Sequence, residues 1–211
     1  MDTPQYREVL KPAGRLTAVL AGRIIAAVPA PLLIALVVTA ALLLGIGVQY
    51  NGLVRRRNRV DSTWSDIDVL LRRRHDLVPN LVSSVQGYAT HESATVRSVT
   101  EARAAAMSAP GPSGIGRAET NLSDGVRTLI AEAETYPQLK ASAAFIDLQD
   151  RLTATEDGIE HARQFYNDSV YGYNTAVQTL PGSLIAGPFG FRLREFFQAA
   201  GAERSAVQVK T

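Results

Sequence analysis

One long apolar stretch near the N-terminus constrains this chain more than any other feature. Residues 24–48 carry no charged side chain, and between Leu32 and Val48 only Thr39 is polar. A transmembrane helix needs about 20 predominantly apolar residues, whereas a helix at the surface of a soluble domain keeps a polar face. We therefore predict a transmembrane segment over residues 24–48, with its helical core at about residues 32–50, preceded by an N-terminal tail at residues 1–23.

A cleaved signal peptide is the alternative for this stretch. The lead before Ile24 is long for a signal peptide, and the apolar run continues through Leu44. We therefore expect an uncleaved, single-pass anchor in the cell membrane. Basic residues are balanced on the two sides of the span, which leaves the orientation open. Arg72, Arg73 and Arg74 lie just beyond that window and favour a cytoplasmic C-terminal body.

The composition of the chain excludes several kinds of functional site and partner. The chain has no cysteine, which excludes disulfides, thiol catalysis and Cys-ligated zinc. The formal net charge of +2 belongs to residues 1–48, so residues 49–211 are neutral overall. We expect no nucleic-acid partner, because nucleic-acid binding needs a basic face that displaces counterions.

The pattern of residues 49–181 predicts long helices. Between Pro137 and Pro181, which fit a helix start and a helix stop, large side chains recur at intervals of seven and predict one helix of about 43 residues. These residues are Phe145, Leu152, Ile159, Tyr166, Tyr173 and Leu180. Residues 51–78 show the same rhythm until Pro79, which either kinks or turns the chain.

The middle of the chain supplies two further helices. One follows Pro79, and the second is expected from about Ala118 to Thr135, with a flexible linker at residues 109–116 between them. No alternating strand pattern is present. The fold class we predict is all-α: a transmembrane helix followed by an antiparallel up-and-down bundle of four helices, with a kinked three-helix arrangement as the competitor.

The C-terminal tail, residues 182–211, differs from the body in composition. Residues 184–197 contain seven large apolar side chains, two glycines and a proline. We expect these aromatic residues either to pack at the base of the bundle or to lie in the lipid interface.

Motifs for catalysis, metal binding or cofactor binding are missing. His91 and Glu92 begin a zinc-protease pattern, but Thr95 stands where its second histidine is needed. We find no nucleophile elbow, phosphate-binding loop or dinucleotide fingerprint. We therefore predict no catalytic residues, no metal ligands and no cofactor.

Two arginine clusters are candidate contact sites. Attraction to anionic headgroups is expected of the four arginines nearest the span. These are Arg55, Arg56, Arg57 and Arg59. Arg72, Arg73 and Arg74 lie too far along a helix to reach lipid, and we predict that they form either a solvated face or a partner-binding surface.

A recurring Tyr-Asn pair is the least expected feature of the body. Asparagine is mildly unfavourable inside helices, and a buried asparagine often fixes helix register. We predict a polar layer between the first and last helices of the body. Its members are Tyr50, Asn51, Tyr166, Asn167, Tyr173 and Asn174. The alternative is a ligand site around Tyr50, Asn51, His91, Tyr166 and Asn167.

Several longer motifs resemble the LemA family of bacterial membrane-anchored proteins. They are Tyr50-Asn-Gly-Leu-Val54, Trp64-Ser-Asp-Ile-Asp-Val69, Arg73-Arg-His-Asp-Leu-Val-Pro-Asn-Leu-Val82, Gly87-Tyr-Ala-Thr-His-Glu92, Tyr136-Pro-Gln-Leu-Lys-Ala141 and Tyr166-Asn-x5-Tyr-Asn174. The resemblance covers about residues 48–198. The N-terminal lead departs from it, being longer than is usual in the family.

The resemblance implies one N-terminal transmembrane helix and an antiparallel helical bundle, with no established activity and no catalytic residues to carry over. Family members tend to be encoded near membrane proteases or other envelope proteins. We therefore expect a non-catalytic, membrane-tethered scaffold or adaptor. Its expected partners are the lipid bilayer, other membrane or envelope proteins with a membrane protease as one candidate, and a second copy in a homo-oligomer. An envelope enzyme or small-ligand sensor is the alternative.

Overall fold

The computed structural model describes residues 29–87 and 94–198, and these residues form helices connected by short segments. The helices are α1 (Ala30–Gln86), α2 (Ala94–Ser108), α3 (Gly111–Ala133), α4 (Pro137–Lys140), α5 (Ala143–Gln178) and α6 (Gly182–Ala186). No strand occurs within these ranges, so the all-α prediction is confirmed. The chain divides into two units, Met1–Tyr50 and Asn51–Thr211.

The described part of the first unit is the N-terminal portion of α1. The side chains from Leu32 to Val48 are all exposed. An apolar helix of this length meets the requirement for crossing a bilayer, and α1 is the one helix among the described residues that does so.

Pro79 lies inside α1 and does not end it. Proline has no backbone N–H, so the carbonyl of His75, four residues earlier, loses its helical partner. Arg103 of α2 supplies a replacement, because its Nε donates a hydrogen bond to the His75 carbonyl at 2.8 Å. The proline thus creates an acceptor on α1 that a side chain of the neighbouring helix satisfies.

Two predicted boundaries need correction. The expected linker at residues 109–116 is short, because α3 already begins at Gly111; proline is tolerated in the first helical turn, where its missing N–H needs no partner. The expected 43-residue helix is divided at Ala141 and Ser142 into α4 and α5. This break lets Leu139 reach the core beside Phe145.

The last heptad position also departs from its prediction. Phe145, Leu152, Ile159, Tyr166 and Tyr173 are buried on α5 as the seven-residue spacing predicts. Leu180 lies beyond the end of α5 and is 74% exposed.

The core of the second unit consists of two clusters. The first, which we call the four-helix end, joins α1, α2, α3 and α5. It contains Val78, Leu81, Val85, Val96, Val99, Leu122, Val126, Leu129, Phe145 and Leu152. The second, the two-helix end, joins α1 and α5 and is completed by α6 and two phenylalanines after it. It contains Leu53, Val60, Ile67, Ile159, Tyr166, Tyr173, Ile185, Phe191 and Phe197.

Helix length explains why the bundle has two kinds of end. α2 and α3 contain 15 and 23 residues, against 36 in α5, so they cannot flank the whole of α5. α1 and α5 run antiparallel along both clusters, with Gly158 against Leu70 and Gly172 against Arg56. The two-helix end therefore needs another segment to cover its core.

Candidate functional site

A buried ionic cluster lies between the two core clusters. We call it the junction network, and it consists of Arg74 and His75 of α1, Glu119 and Ser123 of α3, and Glu156 of α5. Arg74 is 4% exposed and Glu119 is 3% exposed. Burial of charges at this depth is favourable only when each is paired and hydrogen-bonded.

Every polar side chain of the junction network has a partner from another helix. Arg74 Nη1 lies 3.2 Å from Oε2 of both Glu119 and Glu156, and its Nη2 donates to Ser123 Oγ at 2.6 Å. His75 Nε2 donates to Glu119 Oε1 at 2.7 Å, and Ser123 Oγ donates to Glu156 Oε1 at 3.0 Å. The network fixes the register of α1, α3 and α5.

The structure separates the three arginines that we expected to act together. Arg72 and Arg73 are exposed, and Arg72 pairs with Asp68 on its own helix at 2.6 Å. Arg74 belongs to the junction network, which corrects its expected surface position. Its spacing was a usable signal, because Arg74 stands seven residues from the buried Ile67 and seven from the buried Leu81.

The sequence analysis did not single out Glu119 as a site residue. It stands seven residues before Val126 on the buried stripe of α3. A charged residue at a core position of an apolar stripe indicates a buried ion pair. Its partner lies on a distant helix and could not be read from that spacing alone.

A second polar site holds the chain after α6. Residues 191–198, which we call the tail segment, form no helix. The side chain of Asn174 donates to the Arg194 carbonyl and accepts from the Arg194 N–H, both at 2.9 Å. Asn167 does the same with Phe197, at 3.2 and 2.9 Å. Each amide therefore binds both backbone groups of one residue.

Side chains add to these backbone contacts. Arg57 lies over the ring of the buried Phe191, 5.6 Å from its centroid. The Phe197 ring is buried 6.2 Å from that of Trp64, which in turn contacts Tyr166 at 5.3 Å. We call the surface of α1 and α5 that receives these contacts the tail groove.

Burial shifts the pKa values of two tyrosines of α5. The Tyr166 hydroxyl donates to the Glu195 carbonyl at 2.8 Å. Burial raises the pKa of Tyr166 to about 12, with Arg194 opposing the rise. Burial also raises the pKa of Tyr173. Both phenols stay neutral well above physiological pH, so Tyr166 remains a hydrogen-bond donor.

The expected polar layer between the first and last helices has different partners in the structure. The amides of Asn167 and Asn174 bind the tail segment. Asn51 is exposed, and Tyr50 belongs to the other unit. His91, part of the alternative ligand site, lies outside the described residues. No group of three acidic or histidine side chains within the described ranges is placed to hold a metal ion.

The tail segment also bears on the two expectations for the aromatic C-terminus. Phe191 and Phe197 pack into the two-helix end, whereas Leu184, Phe189 and Leu193 are exposed. The first expectation, packing on the bundle, therefore describes Phe191 and Phe197. Lipid contact by the exposed residues stays a prediction.

The arginines expected near lipid also have contacts within the second unit. Arg56 Nη1 donates to the Gly172 carbonyl at 3.3 Å, and Arg57 covers Phe191. Arg55 and Arg59 are exposed. Headgroup contact by these four residues stays a prediction.

On the flank of α1 and α5 opposite the tail segment lies a groove of about 750 Å³, which we call the open face. Arg56, Arg59 and Asp66 line it on α1, and Phe165 and Asp168 line it on α5. Phe165 is 66% exposed. An exposed aromatic ring between charges of both signs is a typical feature of protein-binding surfaces.

Comparisons with known proteins agree with the sequence motifs. The Protein LemA of Metamycoplasma hominis is 25% identical over 173 residues, covering 78% of this chain and 79% of that protein. Magnetosome protein MamQ 2 of Paramagnetospirillum magneticum is 24% identical over 177 residues, covering 72% and 65%. Magnetosome protein MamQ of Magnetospirillum gryphiswaldense is 24% identical over 176 residues, covering 71% and 65%.

The family model described as the LemA family matches residues 63–210. The match includes the junction network, both asparagines of the tail groove and the tail segment. Since it spans more than half of the 211 residues, this chain belongs to the LemA family.

Proposed function

We propose that this chain is a non-catalytic, membrane-tethered helical scaffold that works through protein–protein contacts at its open face. The partners in this proposal are membrane or envelope proteins, with a membrane protease and a second copy of the chain among the candidates. The apolar portion of α1 provides the tether. The observation that carries the proposal is the open face itself.

The open face has the composition of a contact surface. Phe165 offers a large ring that burial would desolvate, and such aromatic residues often dominate binding energy at interfaces. Arg56, Arg59, Asp66 and Asp168 surround it and supply both signs of charge. Charges at the rim select partners and orient them more than they add affinity.

The buried ionisable side chains support a structural assignment. Arg74 and Glu119 are paired with each other between helices. Arg74 and Glu156 line two small clefts, of about 270 and 180 Å³, and Glu119 lines the smaller one. Their charges are nevertheless paired with one another, and this pairing stabilises the arrangement of three helices.

Photo-crosslinking in intact membranes tests the proposal. A photoreactive residue is placed at Phe165 in one full-length variant and at Tyr171 in another. These two aromatic residues lie on the same helix and are 66% and 67% exposed, but only Phe165 lines the open face. We expect a discrete crosslinked product from position 165 and none, or a diffuse background, from position 171.

The outcome has two clear readings. A product from position 165 that identifies another protein or a second copy supports the scaffold. Membrane-inserted protein that gives only monomer from position 165, or the same products from both positions, contradicts contact through the open face.

A further inference from the structure

The tail segment lies in its groove as a peptide ligand would. It is joined to α6 through Gly187 and Gly190, and Gly190 adopts a φ of +72°, a left-handed conformation that suits glycine. The Phe191 N–H then returns to the Ala186 carbonyl at 2.9 Å. Beyond this turn, the side-chain hydrogen bonds and the ion pair of the tail segment run to α1 and α5. Its Glu195 and Gln198 also lie close to Gly111 and Gly116 of α3.

The backbone contacts of the tail groove do not depend on the ligand's side chains. Asn174 and Asn167 each bind the N–H and the carbonyl of a single residue, Arg194 and Phe197 respectively. An amide side chain has the donor and acceptor that a neighbouring β-strand would offer. Any residue with a free N–H satisfies such a clamp, and proline does not.

The spacing of the two asparagines matches an extended peptide. Seven residues of an α-helix rise about 10.5 Å at 1.5 Å each. Three residues of extended chain span about 10 Å at roughly 3.3 Å each. Asn167 and Asn174 are seven apart, and the residues that they bind, Arg194 and Phe197, are three apart. The helix therefore presents its clamps at the repeat of an extended ligand.

Side chains at the same interval of three give the tail groove its specificity. Phe191 and Phe197 are buried, while Arg194 Nη2 lies 2.8 Å from Asp61 Oδ1. The residues between them are exposed. The groove thus selects an aromatic residue, then a basic residue, then a second aromatic residue, in the pattern Phe-x-x-Arg-x-x-Phe.

We propose that the tail groove is a binding site for an extended peptide of a partner protein with the pattern Phe-x-x-Arg-x-x-Phe, and that residues 191–198 are its intramolecular occupant. This inference rests on the proposed scaffold function and names a partner chemistry for it. The chain's own segment supplies the argument for that chemistry, because it fills the groove by apolar burial, charge pairing and backbone hydrogen bonds together.

The tail segment competes with any free peptide for the tail groove. A segment attached through a short linker competes at an effective concentration in the millimolar range. A peptide in solution must therefore bind weakly to the wild-type chain. Weakening the chain's own tail segment, without changing the groove, should reveal the site.

The test uses the full-length protein in mild detergent and a fluorescent synthetic peptide with the sequence of residues 189–198. The acceptors are the wild type and a Phe191→Ala/Phe197→Ala variant, whose groove residues are intact. We expect the variant to bind the peptide at least about tenfold more tightly, because the competing tail segment is weakened. Adding Asn167→Ala and Asn174→Ala to the variant should abolish the binding.

A charge exchange provides the second arm, which does not require removal of buried rings. Asp61→Arg changes an exposed ion pair, so the variant is expected to fold. The wild type should prefer the peptide with arginine at its central position over one with glutamate there. Asp61→Arg should invert that preference.

Two results would overturn the proposal. One is a folded Phe191→Ala/Phe197→Ala variant that fails to bind the peptide or binds it regardless of the asparagines. The other, decisive if that variant does not fold, is an unchanged peptide preference in Asp61→Arg. Either result leaves crosslinking at Phe165 untouched, so failure of the peptide site is distinguishable from failure of the scaffold.

Discussion

At the four-helix end, α1 and α5 are flanked by α2 and α3, whereas at the two-helix end the tail segment of eight residues covers one flank of the same two helices. A helix satisfies its own backbone hydrogen bonds, but an extended segment must find partners for each buried N–H and carbonyl. The two-helix end therefore needs Asn167, Asn174 and Tyr166, whose side chains bind the tail backbone.

The same difference implies unequal stability. Helices α2 and α3 contribute a continuous apolar core, while the tail segment buries two phenylalanines and keeps most of its other side chains exposed. Regions with few buried apolar contacts open locally at lower free energy than the global core. We expect the tail segment to detach before the four-helix end unfolds.

The largest effect is expected where the two ends meet. Arg74→Met leaves Glu119 buried without its cationic partner, and breaking a buried pair in this way costs about 3–5 kcal/mol. Urea unfolding of the full-length protein, followed by circular dichroism, measures the loss. The control is Arg72→Met, whose arginine side chain is 76% exposed and whose change should be within about 1 kcal/mol. Equal losses in the two variants would refute a structural junction network.

Truncation of one core residue in each cluster sharpens the comparison. Leu129→Ala at the four-helix end should cost about 2–5 kcal/mol and lower protection from amide hydrogen exchange throughout the second unit. Phe197→Ala should raise exchange in the tail segment and the facing turns of α5, with α2 and α3 still protected. Uniform loss of protection in Phe197→Ala would show that the two ends unfold as one cooperative unit.

The contact between α1 and α2 tests the four-helix end more finely. Arg103→Ala removes the donor to the His75 carbonyl and should cost about 1–2 kcal/mol, because that carbonyl then lacks a partner. In a Pro79→Ala background, residue 79 has an N–H for the same carbonyl, so the loss on Arg103→Ala should shrink. A double-mutant cycle measures this coupling. Additive effects would mean that Arg103 does not compensate for the proline.

The all-α fold and much of its core could be predicted from the sequence because both follow from periodicity. The seven-residue spacing identified five buried residues of α5, from Phe145 to Tyr173. The pairing of Arg74 with Glu119 could not be predicted, because the two residues are 45 apart in the sequence and their contact depends on the register between two helices. Each residue's core position was nevertheless visible from its own heptad.

The tail groove was predictable in part. The repeated Tyr-Asn pair marked Asn167 and Asn174 as unusual, but their partner is an extended segment, which carries no helical or strand period of its own. The Pro-Gly-Pro run at residues 110–112 led us to predict a linker, but the structure has the start of a helix there. Proline and glycine are typical of loops, yet they also suit the start of a helix, as in α3.

The smallest effect concerns the pH dependence of the two-helix end. The pKa of Tyr166 is about 12 in the folded protein and near 10 when unfolded. The neutral phenol stabilises the fold fully below pH 10, and this contribution is lost as pH rises from 10 through 12, by about 1 kcal/mol at pH 11. Tyr166→Phe should lower stability at pH 8, because it loses the hydrogen bond to Glu195, but its stability should fall less steeply above pH 10.

Urea unfolding at pH 8 to 11, followed by circular dichroism and by the fluorescence of Trp64, the single tryptophan, measures both effects near this site. Tyr171→Phe, which changes an exposed tyrosine, should keep the wild-type pH dependence. If Tyr166→Phe keeps it as well, ionisation of Tyr166 is not what weakens the two-helix end in alkali.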